Sequence, residues 1–190
     1  VERRAGALAA LGEKAGTVEA LLSNGEASAV AVDELVAGVV ADAREREADA
    51  TVELDVEGGD GDADWTTRVR ADALRAVAEN TVENALVHHD GEGVGRADGG
   101  PWVRVTLGRE GSADGVERYR LTVADDGPGI PDHEVEAVES GRETALEHGS
   151  GLGLWVVAWG AAAIGAAVDY AEREPRGTVV TVSIPVVDAE

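Results

Sequence analysis

The chain has 190 residues, with 38 Asp and Glu against 16 Lys and Arg, a net charge of −22, and no Cys, Met or Phe. Its length suits one domain with an extra element, and an apolar content of 44% excludes a wholly disordered acidic tail. Without cysteine there are no disulfides and no thiolate chemistry. No apolar run nears the ~20 residues of a bilayer span, no signal peptide opens the chain, and no Lys/Arg cluster supports nucleic acid as a partner.

Residues 1–24 read as a helix in which Val1, Leu8, Leu11, Ala15, Val18 and Leu22 follow a heptad, with Arg4 at the polar seam position. That pattern fits either a short coiled-coil seam, hence a possible homodimer through 1–24, or a single amphipathic helix. Val1 in place of an initiator Met suggests a piece of a longer chain. A second helix is expected over Val32–Asp49, with Leu35, Val36, Val39 and Val40 on one face, and a strand over Thr51–Val56. The acidic, Gly-rich run 57–64 reads as a loop and lacks the closing Glu of a calcium site. A long helix over 71–88 precedes a loop with five glycines between Asp90 and Gly100. Strands at Val103–Leu107 and Tyr119–Val123 form a hairpin, and Pro131 opens a short helix to about Glu139. A polar stretch, 141–150, leads into an apolar helix, Leu152–Ile164, and a closing hairpin of Ala167–Ala171 and Thr178–Pro185. This order predicts an α+β sandwich, a mixed sheet with helices on one face, preceded by an N-terminal helix.

The acids are dispersed rather than blocked, and Lys14 is the sole lysine. Dispersed carboxylates read as a solvated, mutually repelling surface more readily than as a cation-binding one. The balance resembles that of salt-accumulating, haloarchaeal-type proteins, which implies loosening in dilute buffer, where repulsion is unscreened.

Three segments could carry chemistry. On the helix over 71–88, Leu74, Val77, Ala78, Thr81 and Ala85 share one face, with Asn80, Asn84 and His88 in a row beside it at intervals of four. Asn is a poor helix former, and its carbonyl is a neutral hard oxygen suited to Mg²⁺. The alternative is two Asn on a solvated face. Next, Val123-Ala-Asp125-Asp-Gly127-Pro-Gly129-Ile130 ends a strand with a carboxylate that can accept a hydrogen bond from an exocyclic amine, followed by glycines that permit close approach. Alone it is also a common Asp-Gly turn. Last, His148-Gly149-Ser150-Gly151-Leu152-Gly153-Leu154 runs a Gly-rich loop into a helix, which can form an anion site of backbone N–H groups. It lacks the Lys of a P-loop.

In this order the segments resemble the N, G1 and G2 boxes of the ATP-binding superfamily of histidine kinases, Hsp90, DNA gyrase and MutL. The resemblance covers about residues 30–187, including Gly177-Thr178, and implies the Bergerat fold. By it, Asn84 coordinates Mg²⁺, Asn80 supports the phosphates or metal, and Asp125 binds the adenine amine with Thr178 nearby through water. Gly127, Gly129 and Ile130 shape the base pocket; Gly149, Ser150, Gly151, Leu152, Gly153 and Leu154 close over the phosphates; 132–148 form a lid. Asn80 stands where ATPase members place a Glu base, and the neighbouring Glu79 and Glu83 are expected to point away. The chain is therefore similar to the catalytic and ATP-binding domain of a sensor histidine kinase.

That likeness implies a cytoplasmic domain, 29–190, that uses Mg-ATP, with 1–28 the end of the dimerisation and phosphotransfer hairpin helix. It implies transfer of the γ-phosphate to a hairpin histidine outside this chain, and thence to a response-regulator receiver domain. The Phe-containing F box is missing, Asp126 replaces the usual Asn, and Val87 replaces a basic residue, leaving His88, His89 and Arg142 to meet phosphate. Adjacent histidines on a helix face different ways and make no zinc site. The rival readings are an ATP hydrolase of the same superfamily and a degenerate, regulator-docking module.

Overall fold

Alternating β-branched residues build a sheet with one buried face. The computed structural model describes residues 25–57, 64–89, 100–111, 115–141 and 152–188; the helix expected over 1–24 lies outside them. Strands β4 (Trp102–Gly111), β5 (Glu117–Asp125) and β7 (Thr178–Pro185) form the centre, flanked by β2 (Thr51–Val56) and β6 (Ala167–Glu172) in the order β2-β4-β5-β7-β6. β2 and β4 are parallel and the other neighbours antiparallel, so the sheet is mixed as expected.

The period of two sets Val103, Val105 and Leu107, then Tyr119, Leu121 and Val123, then Val180, Val182 and Ile184 on the buried face. Continued to the strand ends, the same period brings Asp125 and Thr178 inward, polar residues at core-facing positions. The register Val123↔Val180 and Ala124↔Val179 sets those two residues side by side.

Three helices supply the cover. In α1 (Val32–Arg46) the buried residues Val32, Leu35, Val36, Val39, Val40 and Ala43 recur at helical spacing. α1 stops short of the expected Asp49, its last turn tied to β2 by Arg44 Nε donating to Val52 O at 2.8 Å. α2 (Ala71–Val87) is buried on more than one side, and α4 (Leu152–Ala163), apolar nearly all round, packs along it. α3 (Asp132–Ser140) buries only Ala137 and follows Pro131, whose carbonyl accepts from Glu134 N at 2.9 Å.

The short strands β1 (Ser28–Ala31) and β3 (Thr66–Val69) pair in a separate two-stranded sheet that the sequence reading did not contain. β1 runs directly into α1, and Val32 N donates to Trp65 O at 3.1 Å in place of a capping side chain. Trp65 is buried against Tyr119, ring centroids 5.2 Å apart, and the Tyr119 hydroxyl donates to Thr66 O at 3.1 Å.

Candidate functional site

The buried face of the sheet ends in a cavity of about 230 Å³ between α2, α4, β5, β7 and the loop after β5. Of the residues expected at a nucleotide site, Asn84, His88, Asp125, Gly127, Gly129, Ile130, Leu154 and Thr178 all line it. Three sequence-distant segments thus converge on one space. Gly149, Ser150 and Gly151 lie outside the described residues, as do residues 142–148 of the expected lid, whose first part is α3. Leu152 opens α4 and is half-buried.

Asp125 is held by backbone. Its Oδ1 accepts from Gly127 N at 2.8 Å and Thr178 N at 3.2 Å, and Oδ2 has no hydrogen bond among the described residues. Thr178 reaches Asp125 directly through its backbone N–H. Burial pushes the carboxyl above the ordinary aspartate range, opposed by the two N–H donors, favoured by the neighbouring Asp126 and opposed again by Arg173. Glycine is required at 177, where φ is +119° and a Cβ would collide with the Asp125 carbonyl. At residue 127 a Cβ would come within 3.1 Å of Asp125 Oδ1.

The second pole is the α2–α4 contact. A Cβ on residue 153 would collide with Asn84 Oδ1, so glycine there gives the Asn84 amide its place. Asn80 does not line the cavity: it is buried one turn earlier, Nδ2 donates to Ala76 O at 2.9 Å, and its buried Oδ1 has no partner. An orphaned carbonyl oxygen beside a second Asn suits a hard divalent cation or its waters, so this donor set fits Mg²⁺ associated with phosphate. The acids next to Asn80 face elsewhere, as expected: Glu79 lies 3.5 Å from Arg75, and Glu79 and Glu83 border a groove against α1.

His89 departs from expectation. It does not line the cavity, and its Nε2 lies 3.3 Å from Asp126 Oδ1, with side chains 4% and 5% exposed. Asp126 Oδ1 also accepts from Trp102 N at 3.0 Å, so the residue that replaces the usual Asn joins β4 to the loop after β5.

Not foreseen as site residues, Thr81, Ala85, Val123, Pro128, Pro131, Glu134, Val157, Tyr170 and Val180 also line the cavity. Val123 and Val180 are two residues from Asp125 and Thr178 on the same strand faces, so the period of two could have found them. Tyr170 sits on the edge strand β6 with no local signal; its hydroxyl is buried without a partner, and burial first, then Glu139, pushes its pKa up to about 12.

A sheet covered on one face, with a carboxylate at a strand end and an Asn pair on the facing helix, defines an ATP-binding α/β sandwich domain. Residues 69–188 match the family described as histidine kinase-, DNA gyrase B- and HSP90-like ATPase. The chain belongs to that family. It is 34% identical over 82 residues to the sensor histidine kinase ZraS of Salmonella typhimurium, a match that covers 43% of this chain and 18% of that protein. The chain thus spans about a fifth of that relative's length. Among solved structures, a mycobacterial sensor histidine kinase, MprB, is similar with TM-score 0.60 and 24% identity over 85% of this chain and 98% of that one. The catalytic domain of histidine kinase ThkA is similar with TM-score 0.64 and 21% identity, over 85% and 98%. Full-length ShkA, in complex with AMPPNP, is similar with TM-score 0.68 and 20% identity, over 99% of this chain and 38% of that one.

Proposed function

We propose that residues 29–190 present Mg-ATP to a histidine on a partner hairpin, and that residues 1–24 are the last part of that hairpin's second helix; the expected boundary at 28 is too late, because Ser28 already opens β1. The observation that carries this reading is the Asp125 carboxylate, fixed through Oδ1 by two backbone N–H groups at the end of a cavity whose other end holds Asn84. Oδ2 accepts from the adenine amine, and the apolar walls Val123, Ile130, Leu154 and Val157 take the faces of the base. The triphosphate leaves the cavity past Asn84 and His88, toward the start of α4, whose N–H groups suit anionic oxygen. Asn84 and Asn80 would hold Mg²⁺ or its waters, and the ion would supply positive charge against the phosphates.

The domain's own contribution is positioning. The acceptor imidazole nitrogen forms a bond to the γ-phosphorus as the bond to the ADP oxygen breaks, and the phosphoryl group passes on to a receiver-domain aspartate. A hydrolase would need a base poised over a water at the position of Asn80, and the neighbouring acids face α1 instead. The dispersed acidity supports a cytoplasm of high salt as the setting. Among the described residues no helix is long and apolar enough to cross a membrane.

The test is titration of Mg-ATP into the chain in about 2 M KCl, a regime of short screening length, with Asn84→Ala and Asp125→Ala alongside. Saturable binding in the parent, loss of its Mg²⁺ dependence in Asn84→Ala, and loss of affinity in Asp125→Ala are expected. Transfer of the γ-phosphate to a histidine-bearing hairpin then separates a kinase from a non-catalytic module.

A further inference from the structure

The nucleotide cavity is built from two pieces that the chain does not connect directly: α2, which carries Asn84 and His88, and the loop after β5, which carries Asp125. Their junction lies behind the cavity. Gly127 backs onto the end of α2, where a Cβ would come within 3.7 Å of the His88 carbonyl. One residue further along each piece, His89 Nε2 and Asp126 Oδ1 face each other at 3.3 Å in near-complete burial. Nothing in the three boxes requires this pair, since His89 is outside the helical row of Asn80, Asn84 and His88, and Asp126 stands where an uncharged Asn is usual.

We infer that His89 and Asp126 are a positioning pair: their contact locks the end of α2 to the loop after β5 and thereby sets Asp125 against Asn84 at the spacing that the nucleotide needs. The inference rests on the nucleotide reading above and adds two residues that touch neither base nor phosphate. It has a consequence that uncharged partners would not give. A protonated imidazole is attracted to the carboxylate more strongly than a neutral one, so a pH profile reads the pair's contribution.

Asp125 and His88 adjoin the pair in sequence, and Arg173 and Arg104 lie over the ring of Trp102, whose N–H bonds Asp126, with guanidinium carbons 4.6 and 5.2 Å from the ring centroid. Arg173 also acts on Asp125. Arg104 is engaged by Glu53 at 2.9 Å. Trp102 N donates to Asp126 Oδ1 at 3.0 Å and so ties that oxygen to β4.

The experiment measures Mg-ATP affinity from pH 6 to 8.5 for the parent, His89→Gln, Asp126→Asn and the double variant, all at one high salt concentration. In the same samples the His89 ring is titrated by NMR. Asp126→Asn restores the common residue and keeps an acceptor for Trp102 N, so it tests charge rather than folding. Parent affinity is expected to fall about threefold to tenfold across the range, each single variant to bind about threefold to tenfold more weakly at pH 6 with a flat profile, and the double variant to be no worse than the weaker single. The His89 ring signals are expected to respond to Asp126→Asn. Parent and variant profiles that run parallel, or losses that add in the double variant, would overturn the inference. Binding by none of the four chains, with the His89 titration still responding to Asp126, would sink the nucleotide reading and with it the pair's positioning role. Binding by all four, with a His89 titration indifferent to Asp126, would sink the pair and leave the nucleotide reading standing.

Discussion

A buried carboxylate that reads a base has two atoms with separate tasks. In Asp125, Oδ1 is committed to Gly127 N and Thr178 N, which leaves Oδ2 for a ligand donor. Asp125→Asn can keep both backbone bonds through its single oxygen and present an amide N–H₂ where Oδ2 stood. The adenine amine then meets a donor, whereas guanine offers an acceptor oxygen at that position. The variant is expected to lose about tenfold to hundredfold in ATP affinity, as for a charge-assisted bond of about 1.5–3 kcal/mol, and to narrow or invert the preference over GTP. Competition between the two nucleotides measures it, and unchanged discrimination would remove Asp125 from base recognition. The pH dependence has a defined sign. Burial holds the Asp125 carboxyl above the ordinary aspartate value of about 3.9, so acidification protonates it early and ATP affinity falls while most surface acids remain charged. Because the folded value is the raised one, this group's contribution to stability is fully present below its unfolded value and is lost as pH rises through the folded one. Its protonation therefore weakens binding without itself unfolding the chain, and affinity and melting temperature should part company on the acidic side. In Asp126→Asn the adjacent negative charge is gone, and the acidic fall in affinity should move to lower pH.

Elements meet at glycines here, and the three positions differ in what a methyl would do. Gly38 in α1 has nothing within 4 Å, so Gly38→Ala should raise stability by about 0.5–1 kcal/mol through helix propensity alone. Gly177→Ala meets both a positive φ and the Asp125 carbonyl, and should lower stability by about 1–3 kcal/mol and disturb Asp125. Gly153→Ala presses on the Asn84 side chain, the flexible partner in that contact, so its loss should appear mainly in Mg²⁺-dependent ATP affinity and little in the melting temperature. Thermal denaturation and nucleotide titration on the three variants test this ordering, and a Gly153→Ala chain with parental Mg²⁺ dependence would detach Asn84 from the metal. The same contrast explains what was readable in the sequence. Strong periods found α1, α2, α4, the two hairpins and the mixed sheet, because each buries one regular face. The row of Asn84 and His88, and Asp125 as the inward end of β5, were readable for the same reason. The pairing of β1 with β3 was not: each strand has 4 residues, and Ser-Ala-Val-Ala has almost no apolar alternation. His89 opposite Asp126 was hidden because the two meet only once α2 ends against the loop after β5, and Val87 in place of a basic residue suggested a phosphate role for both histidines. Asn80 was legible as a site residue by spacing, but its orphaned Oδ1, outside the cavity walls, emerges only from the folded helix.

At the scale of the whole molecule, a net charge of −22 sits on a domain whose buried face is built mainly from Val, Leu and Ala. Short aliphatic side chains and the absence of Phe and Met give modest burial per residue, so the core has little stability to spare against repulsion between surface acids. Local ion pairs do not offset that repulsion. Arg104–Glu53 at 2.9 Å and Arg120–Glu57 at 3.3 Å are roughly half exposed, and pairs of that kind contribute about 0–1 kcal/mol each. Charges separated by more than the screening length stop repelling, and that length drops from about 30 Å at 0.01 M salt to about 3 Å at 1 M. The stability gained should therefore rise steeply over the first few tenths molar KCl and then flatten, unlike salting-out, which grows steadily with concentration. A melting temperature higher by about 5–10 °C at 2 M than at 0.05 M KCl is expected, given about 2–4 °C per kcal/mol at this size. Sucrose, which is excluded from surfaces but carries no charge, should not reproduce the early steep part. The nucleotide adds a second reason for salt: ATP brings further negative charge to an acidic domain, so its association should be slow in dilute buffer and quicken with KCl, opposite to the usual slowing of steered encounters. Equal melting temperatures at the two salt concentrations would mean that the acids are dispersed widely enough to be harmless, and that the composition reflects solubility rather than a requirement for salt.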